Sequence, residues 1–189
     1  LEVQKRVLGR EHPDTLMTAI NLADALSDPG EHAATTAMYR ETLEVRKRVI
    51  GPEQPTTLTT ATKLANVLNA QGQHTAAVAM YRETLEVQKR VLGKEHPDTL
   101  YTVMNLAGAL SSQGQHAEAA AMYRETLEVQ KQVLGKDHPD TLNTVVNHAC
   151  ALGKQGVFEQ GRFPAAAAKL LRDVLKVQTR VLGPEHPRT

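Results

Sequence analysis

The sequence has a single cysteine, Cys150, so no disulfide can form within the chain. It has no tryptophan, and aromatic residues make up only 3% of the chain. A core without large rings must be built from Ala, Leu, Val and Met, as in closely packed helices. No apolar run approaches the ~20 residues that a membrane-spanning helix needs. We therefore expect neither a membrane span nor a signal peptide, and an intracellular, cytoplasmic protein.

The chain also has no excess of charge of one sign, because its 22 basic residues are nearly balanced by 21 acidic ones. This balance gives no support for nucleic acid or an anionic membrane as the partner. The sequence shows no glycine-rich phosphate loop, no paired-carboxylate motif and no nucleophile elbow. Its histidines recur one whole repeat apart, too far apart to converge on one ion. We expect no enzyme, no cofactor and no metal site.

The chain does contain an internal repeat. The nine letters AMYRETLEV occur at residues 37–45, 79–87 and 121–129, with a weaker copy at 169–177. A fixed period of 42 residues predicts a solenoid of stacked units. The predicted units are 13–54, 55–96, 97–138 and 139–186, with 1–12 as the C-terminal part of a preceding unit and 187–189 as the start of a further one. We expect an internal segment of a longer array.

Each unit reads as two helices, and residues 97–138 show the plan best. Helix A is predicted from about Asp98 to Ser112, with Pro97 at its first position and Gly114 as a left-handed cap after its end. Helix B is predicted from about His116 to Leu134. The predicted apolar stripes, at steps of three and four residues, are Leu100, Val103, Leu106, Ala107 and Leu110 on helix A, and Ala119, Met122, Tyr123, Thr126, Leu127, Val129 or Gln130, and Val133 on helix B.

The fourth unit departs from this plan. Gly156 stands at the turn position, and the six residues 157–162 are extra, so we expect a longer connection between its two helices. Phe158 and Phe163 are the only phenylalanines in the chain. They could form a contact with a partner or fold back over the end of the array, and the sequence leaves both open.

These units resemble tetratricopeptide repeats. Leu106-Ala107, Leu110, Gly114, Ala119 and Tyr123 stand at the places where that family has its small and large apolar residues and its turn glycine. The 42-residue length, with the letters VLGKEHPDT at 91–99, is similar to the kinesin light chain type of the repeat. The resemblance implies an all-α, right-handed superhelical solenoid of antiparallel helix pairs.

The resemblance also implies which residues of the A helices line a concave peptide-binding groove. Asparagine recurs at one position, and its amide can pair with the backbone of an extended peptide, while Lys63 replaces it in the second unit. The implied groove residues are Met17, Ile20, Asn21, Asp24, Thr62, Lys63, Asn66, Tyr101, Met104, Asn105, Asn143, Val146 and Asn147.

The expected function is therefore protein–protein interaction: an adaptor that holds an extended segment of a partner protein in this groove. The alternative is a structural spacer in a larger assembly. A spacer would contact its neighbours through the B helices, its edges or the insertion, and would leave the groove empty.

Overall fold

The computed structural model describes residues 1–26, 32–160 and 164–182, without the side chains of 157–160, 178 and 180–182. All regular secondary structure in these residues is helical. None of the described helices is both long enough and apolar enough to cross a membrane. The helices are α1 Glu2–Val7, α2 Pro13–Ala25, α3 His32–Val49, α4 Pro55–Ala70, α5 His74–Val91, α6 Pro97–Ser112, α7 His116–Val133, α8 Pro139–Gln160 and α9 Ala165–Leu182.

Each A helix (α2, α4, α6 and α8) begins at a proline, as predicted. Proline suits this position because the N–H it lacks would have no partner in the first turn. Before α2 the Nδ1 of His12 accepts a hydrogen bond from the backbone N–H of Asp14 at 3.2 Å. His96 and His138 accept the same bond from Asp98 and Asp140. The histidine of the H-P-D-T letters is therefore a helix cap, a role that the sequence did not indicate.

The turn between helices A and B uses a left-handed glycine. Gly114 has a φ of +82°, and Gly72 at the equivalent place has a φ of +75°. The N–H of Gln115 then reaches back to the carbonyl of Leu110 at 2.9 Å, which satisfies one of the carbonyls left open at the end of α6. The prediction of a glycine cap after helix A is confirmed here.

The fourth unit differs from its prediction. Helix α8 does not end at Gly156 but continues through it to Gln160, so most of the expected insertion lengthens the helix instead of the connection. A glycine inside a helix costs only about 1 kcal/mol relative to alanine, and the residues after it contain no proline before Pro164. Gly156 itself is helical and buried.

The chain divides into two compact units, Leu1–Thr102 and Val103–Thr189, with the division inside α6. In the first unit α1 packs on α2, α2 on α3, α3 on α4 and α4 on α5. In the second unit α7 packs on α8 and α8 on α9. Within each compact unit these helices thus pack against helices adjacent in sequence, as expected for a repeat array.

Helix A buries most of its predicted stripe, with Leu100, Leu106, Ala107 and Leu110 all buried and Val103 half-buried. Helix B buries Ala119, Tyr123, Thr126, Leu127 and Gln130. Of the two alternatives left open, Val129 or Gln130, it is Gln130 that lies in the core. The inclusion of Val133 was wrong, because this residue of the last turn of α7 is 50% exposed.

Candidate peptide-binding surface

The first compact unit, Leu1–Thr102, presents polar side chains on its A helices α2 and α4. On α2, Met17 is 49% exposed, and Asn21 and Asp24 are exposed beside it. On α4, Lys63 and Asn66 are half-buried. These residues follow steps of three and four, which places them on one face of each helix.

Two of the predicted groove residues in this unit are almost fully buried. Ile20 is 6% exposed and Thr62 is 2% exposed. Both side chains belong to the packing between neighbouring helices, because their helix positions turn them toward the next layer. The prediction that Ile20 lines the groove is therefore corrected, and Thr62 lies below the exposed face of α4.

A polar network at Asp24 joins three helices of the first unit. The hydroxyl of Tyr39 on α3 donates a hydrogen bond to Asp24 Oδ1, and Lys63 Nζ on α4 lies 2.5 Å from Asp24 Oδ2. Burial raises the pKa of Tyr39, and the hydrogen bond to Asp24 raises it further. Lys63, which the resemblance places in the groove, is thus already paired within the chain.

An equivalent network is centred on Asn66, one repeat later. Tyr81 donates from its hydroxyl to Asn66 Oδ1 at 2.6 Å, and Asn66 Nδ2 donates to the hydroxyl of Tyr101 at 3.0 Å. Burial raises the pKa of Tyr81 above its usual value. Tyr101 is 52% exposed and is held in place by Asn66, so its own hydroxyl proton can be offered to a ligand.

In the second compact unit the residue at the position of Asp24 and Asn66 is Gly108, which has no side chain to accept a hydrogen bond from a tyrosine. Tyr123 donates instead to the backbone carbonyl of Met104 at 3.4 Å. Burial raises the pKa of Tyr123 to about 12, with a smaller contribution from Cys150. The tyrosine of helix B is therefore repeated, while its partner on helix A changes from one unit to the next.

The remaining predicted residues lie on α6 and α8 in this second unit. Met104 and Asn105 on α6 and Val146 and Asn147 on α8 are half-buried, and Asn143 is exposed. The Nδ2 of Asn105 is buried without a hydrogen-bond partner. A buried amide donor without a partner is costly, so this group is poised to donate to an acceptor.

His148 stands beside these residues on α8. Burial lowers its pKa, and the positive charges of Arg124 and Lys131 lower it further. Its Nδ1 is buried without a partner. Across the described part of the chain no group of three or more His, Cys, Asp or Glu side chains is arranged to hold a metal ion.

Phe158 and Phe163 were predicted as possible contact residues in or next to the insertion. Phe158 lies in the last turn of α8, but its side chain is not among those described, and Phe163 falls outside the described residues.

Comparison with protein-family models gives a match over most of the chain. One model, described as a tetratricopeptide repeat, matches residues 30–90, 56–132 and 99–160, and a second with the same description matches 149–188. The chain belongs to the tetratricopeptide repeat family. No curated protein sequence matches it. The fold class predicted from the sequence, an all-α solenoid of antiparallel helix pairs, is confirmed.

Solved structures identify the type of repeat. A putative kinesin light chain from Podosopora anserina, with nearly identical tetratricopeptide-like repeats, is 26% identical at a TM-score of 0.80, covering 96% of this chain and 82% of that one. That structure is a Q17M form, and a second structure of the same protein gives 26% identity, a TM-score of 0.76 and coverage of 95% and 82%. BtubC (BKLC) from P. vanneervenii shares the fold at 19% identity, a TM-score of 0.77 and coverage of 93% and 68%. The repeats are thus of the kinesin light chain type.

Proposed function

We propose that this protein-interaction scaffold holds an extended segment of its partner against the exposed face of the A helices. Tetratricopeptide repeats indicate a protein partner. The observation that carries the finer proposal is the polar network of the first unit. Asp24, Lys63, Asn66 and Tyr101 are exposed or half-buried, yet each is fixed by a hydrogen bond or ion pair.

Fixed polar groups favour binding because little side-chain entropy remains to be lost when the partner arrives. Lys63 uses one of its donors on Asp24 and retains others, and the Tyr101 hydroxyl accepts from Asn66 and can still donate. These groups can meet the carbonyls of an extended backbone whatever its side chains are. Met17 supplies the exposed apolar area beside them.

A second candidate is supported by the opposite face of the first unit. A groove with a volume of about 140 Å³ lies where α3, α4 and α5 meet, lined by Leu43, Met80 and Val87 among others. Val49 and Val91, at the ends of the B helices α3 and α5, are 44% and 42% exposed. A spacer that contacts its neighbours through the B helices would use this face.

Site-specific photo-cross-linking separates the two. A photoreactive amino acid is placed singly at Asn21 or Asn143, which are exposed on A helices, and at Arg40 or Glu125, which are exposed on B helices. The four proteins are irradiated in an extract of the source cells, and the captured chain is identified by mass spectrometry. We expect one partner to be captured from the A-helix positions and not from the B-helix positions.

The control carries the photoreactive amino acid at position 21 or 143 and has both Asn105 and Asn147 changed to alanine, with its helix content checked by circular dichroism. This variant should retain its helices and lose the A-helix cross-links. Capture from Arg40 and Glu125 alone would reject the proposal and favour the spacer.

A further inference from the structure

The packing between consecutive units repeats three side-chain positions, and one of the three copies contains a pocket. The positions are one on helix A, one near the end of the following helix B, and a threonine on the next helix A. The first copy is Ile20, Arg46 and Thr60; the second is Thr62, Gln88 and Thr102; the third is Met104, Gln130 and Thr144. The first two copies lie in the first compact unit and the third lies in the second.

In the first copy an arginine of the chain itself fills the space. Arg46 is 6% exposed, and its Nη1 donates to Thr60 Oγ1 and to the carbonyl of Thr56, both at 2.8 Å. Thr60 also donates its own hydroxyl to that carbonyl at 2.7 Å. This arrangement shows that the threonine and the carbonyl four residues before it accept a guanidinium well.

In the third copy the longer side chain of Met104 takes the space. Thr144 Oγ1 lies 3.3 Å from Met104 Sδ, and Gln130 Nε2 lies 3.6 Å from it. Thr144 donates to the carbonyl of Asp140 as Thr60 does to that of Thr56. The acceptors are the same, but a thioether stands where Arg46 stands in the first copy.

In the second copy both side chains are short. The helix A position holds Thr62 instead of Ile20 or Met104, and the helix B position holds Gln88 instead of Arg46. Here a pocket of about 180 Å³ lies between α4, α5 and the first turn of α6. Tyr101, which is 52% exposed, and half-buried Lys63 also line it, so it reaches the surface on the side of the proposed binding face. A single water molecule needs a cavity volume of only about 10–15 Å³, so the pocket has room for a side chain.

The most buried polar side chains of this pocket, those of Gln88, Thr62 and Thr102, offer acceptors, whereas Lys63 and Tyr101 stand nearer the surface. Gln88 is 1% exposed, and its Oε1 is buried without a partner. Thr102 donates to the carbonyl of Asp98 at 2.9 Å, and Thr62 either to Thr102 or to the carbonyl of Leu58. Each threonine hydroxyl has a single proton, which is used within the protein, so Thr62 and Thr102 present only lone pairs to a ligand.

The charges around the pocket also favour a cation. Asp98 lines the pocket and carries a negative charge. The positive charge of Lys63 is offset by its ion pair with Asp24 at 2.5 Å. A guanidinium has five N–H donors in a planar fork and no acceptor, which matches the acceptors of Gln88 Oε1 and the two threonine hydroxyls.

We propose that this pocket is a subsite for an arginine side chain of the partner segment, which there takes the place that Arg46 takes in the preceding copy. The inference rests on the proposed function, because the partner must lie on the A-helix face to reach the pocket. It adds to that function a side-chain preference at one defined place.

The test uses the peptide acetyl-Gly-Ala-Arg-Ala-Gly-amide and the same peptide with citrulline, which has the shape of arginine without its charge. Binding is followed by NMR through the side-chain amide of Gln88 and the methyl group of Thr102. We expect a saturable shift at both groups with a dissociation constant on the order of 1 mM, as befits a single side chain. The citrulline peptide should bind at least about tenfold more weakly, since hydrogen bonds from a charged donor are the stronger ones.

Three variants sharpen the test. Gln88→Arg fills the pocket from within, as Arg46 does, and should abolish the shift at Thr102. Gln88→Leu keeps the volume but removes the acceptor, so it should also abolish binding, and it serves if the first variant does not fold. Gln88→Glu should bind the arginine peptide about fivefold more tightly. Gln132→Arg, which adds the same charge at an exposed place on α7, should leave binding unchanged.

Equal binding of the two peptides, or binding retained by both Gln88→Arg and Gln88→Leu, overturns the subsite. The outcome for the proposed function is separate. A partner that still cross-links to Asn21 and Asn143 with unchanged affinity in the Gln88→Arg variant overturns the subsite and leaves the A-helix function intact. A partner captured only from the B helices overturns both.

Discussion

Tyr81 on α5 donates its hydroxyl proton to Oδ1 of Asn66 on α4 at 2.6 Å, and through that bond it fixes the amide that holds Tyr101. Tyr81 is only 1% exposed, so its polar tip lies at the edge of the core while its ring is part of it. One side chain thereby links the packing of a helix pair to the orientation of the candidate binding face.

Replacing Tyr81 with phenylalanine keeps the ring and removes this bond. We expect the free energy of unfolding to fall by about 1–2 kcal/mol, because Asn66 Oδ1 loses its donor in a partly buried place. Urea denaturation followed by circular dichroism measures the change. Tyr101→Phe is the matched control, since the Asn66 Nδ2 that it leaves open is near solvent, and it should cost less than about 0.5 kcal/mol. Equal losses in the two variants would contradict the argument.

The sequence predicted the helix pairs well because their signals are local. Pro97 begins α6, Gly114 follows its end, and the stripe of Leu100, Leu106 and Leu110 is buried as its spacing requires. Each of these signals depends on a residue and its neighbours within one or two turns. The prediction of a turn at Gly156 was wrong because a glycine permits a turn without requiring one.

The candidate site was predicted less completely, because it depends on contacts between residues about 40 positions apart. Lys63 was expected to line the groove, and its pairing with Asp24, 39 residues before it, was not predicted. The pocket beside Gln88 follows from the sizes of side chains on three helices. The sequence shows that Gln88 stands one repeat after Arg46. Only the structure shows that Arg46 contacts Thr60, and therefore which space the shorter Gln88 leaves open.

The capping histidines lead to a second prediction. His96 Nδ1 accepts from the backbone N–H of Asp98, whereas Gln54, at the equivalent place before α4, makes no such bond. His96→Ala should therefore lower the free energy of unfolding by about 1 kcal/mol, the usual value of a lost N-cap. His96→Asn, which keeps an acceptor, should restore most of it. Thermal denaturation of both, beside Lys94→Ala on the exposed turn, measures the effect; a loss as large in His96→Asn as in His96→Ala would show that capping is not the cause.

Alkaline pH should destabilise the fold through its buried tyrosines. The pKa of Tyr123 is raised from 10.0 to about 12, mainly by burial. Between these pH values the unfolded chain loses the phenolic proton and the folded chain keeps it. The contribution of Tyr123 to the free energy of unfolding is therefore fully present below pH 10 and is lost as the pH rises to 12. Urea midpoints measured at intervals from pH 9 upward should show this decline. Tyr123→Phe should make it shallower, and parallel curves for the two proteins would refute the assignment to Tyr123.

The buried arginine that serves as the template for the proposed subsite can itself be tested. Arg46→Gln gives the first copy the residue of the second and removes two charge-assisted hydrogen bonds, to Thr56 and Thr60. The free energy of unfolding should fall by about 1–2 kcal/mol, less than the full value of two such bonds, since the carbonyl of Thr56 keeps the hydroxyl of Thr60 as a donor.

Arg48→Gln is the control for Arg46→Gln, because Arg48 lies two residues further on the same helix, is 66% exposed and pairs with Glu11 at the surface. Exposed ion pairs contribute little, so this variant should lose less than about 0.5 kcal/mol. Urea denaturation of the two variants side by side decides the matter. If Arg46→Gln is no less stable than Arg48→Gln, the bonds to Thr56 and Thr60 do not hold the guanidinium in solution. The arginine subsite beside Gln88 would then lose its template.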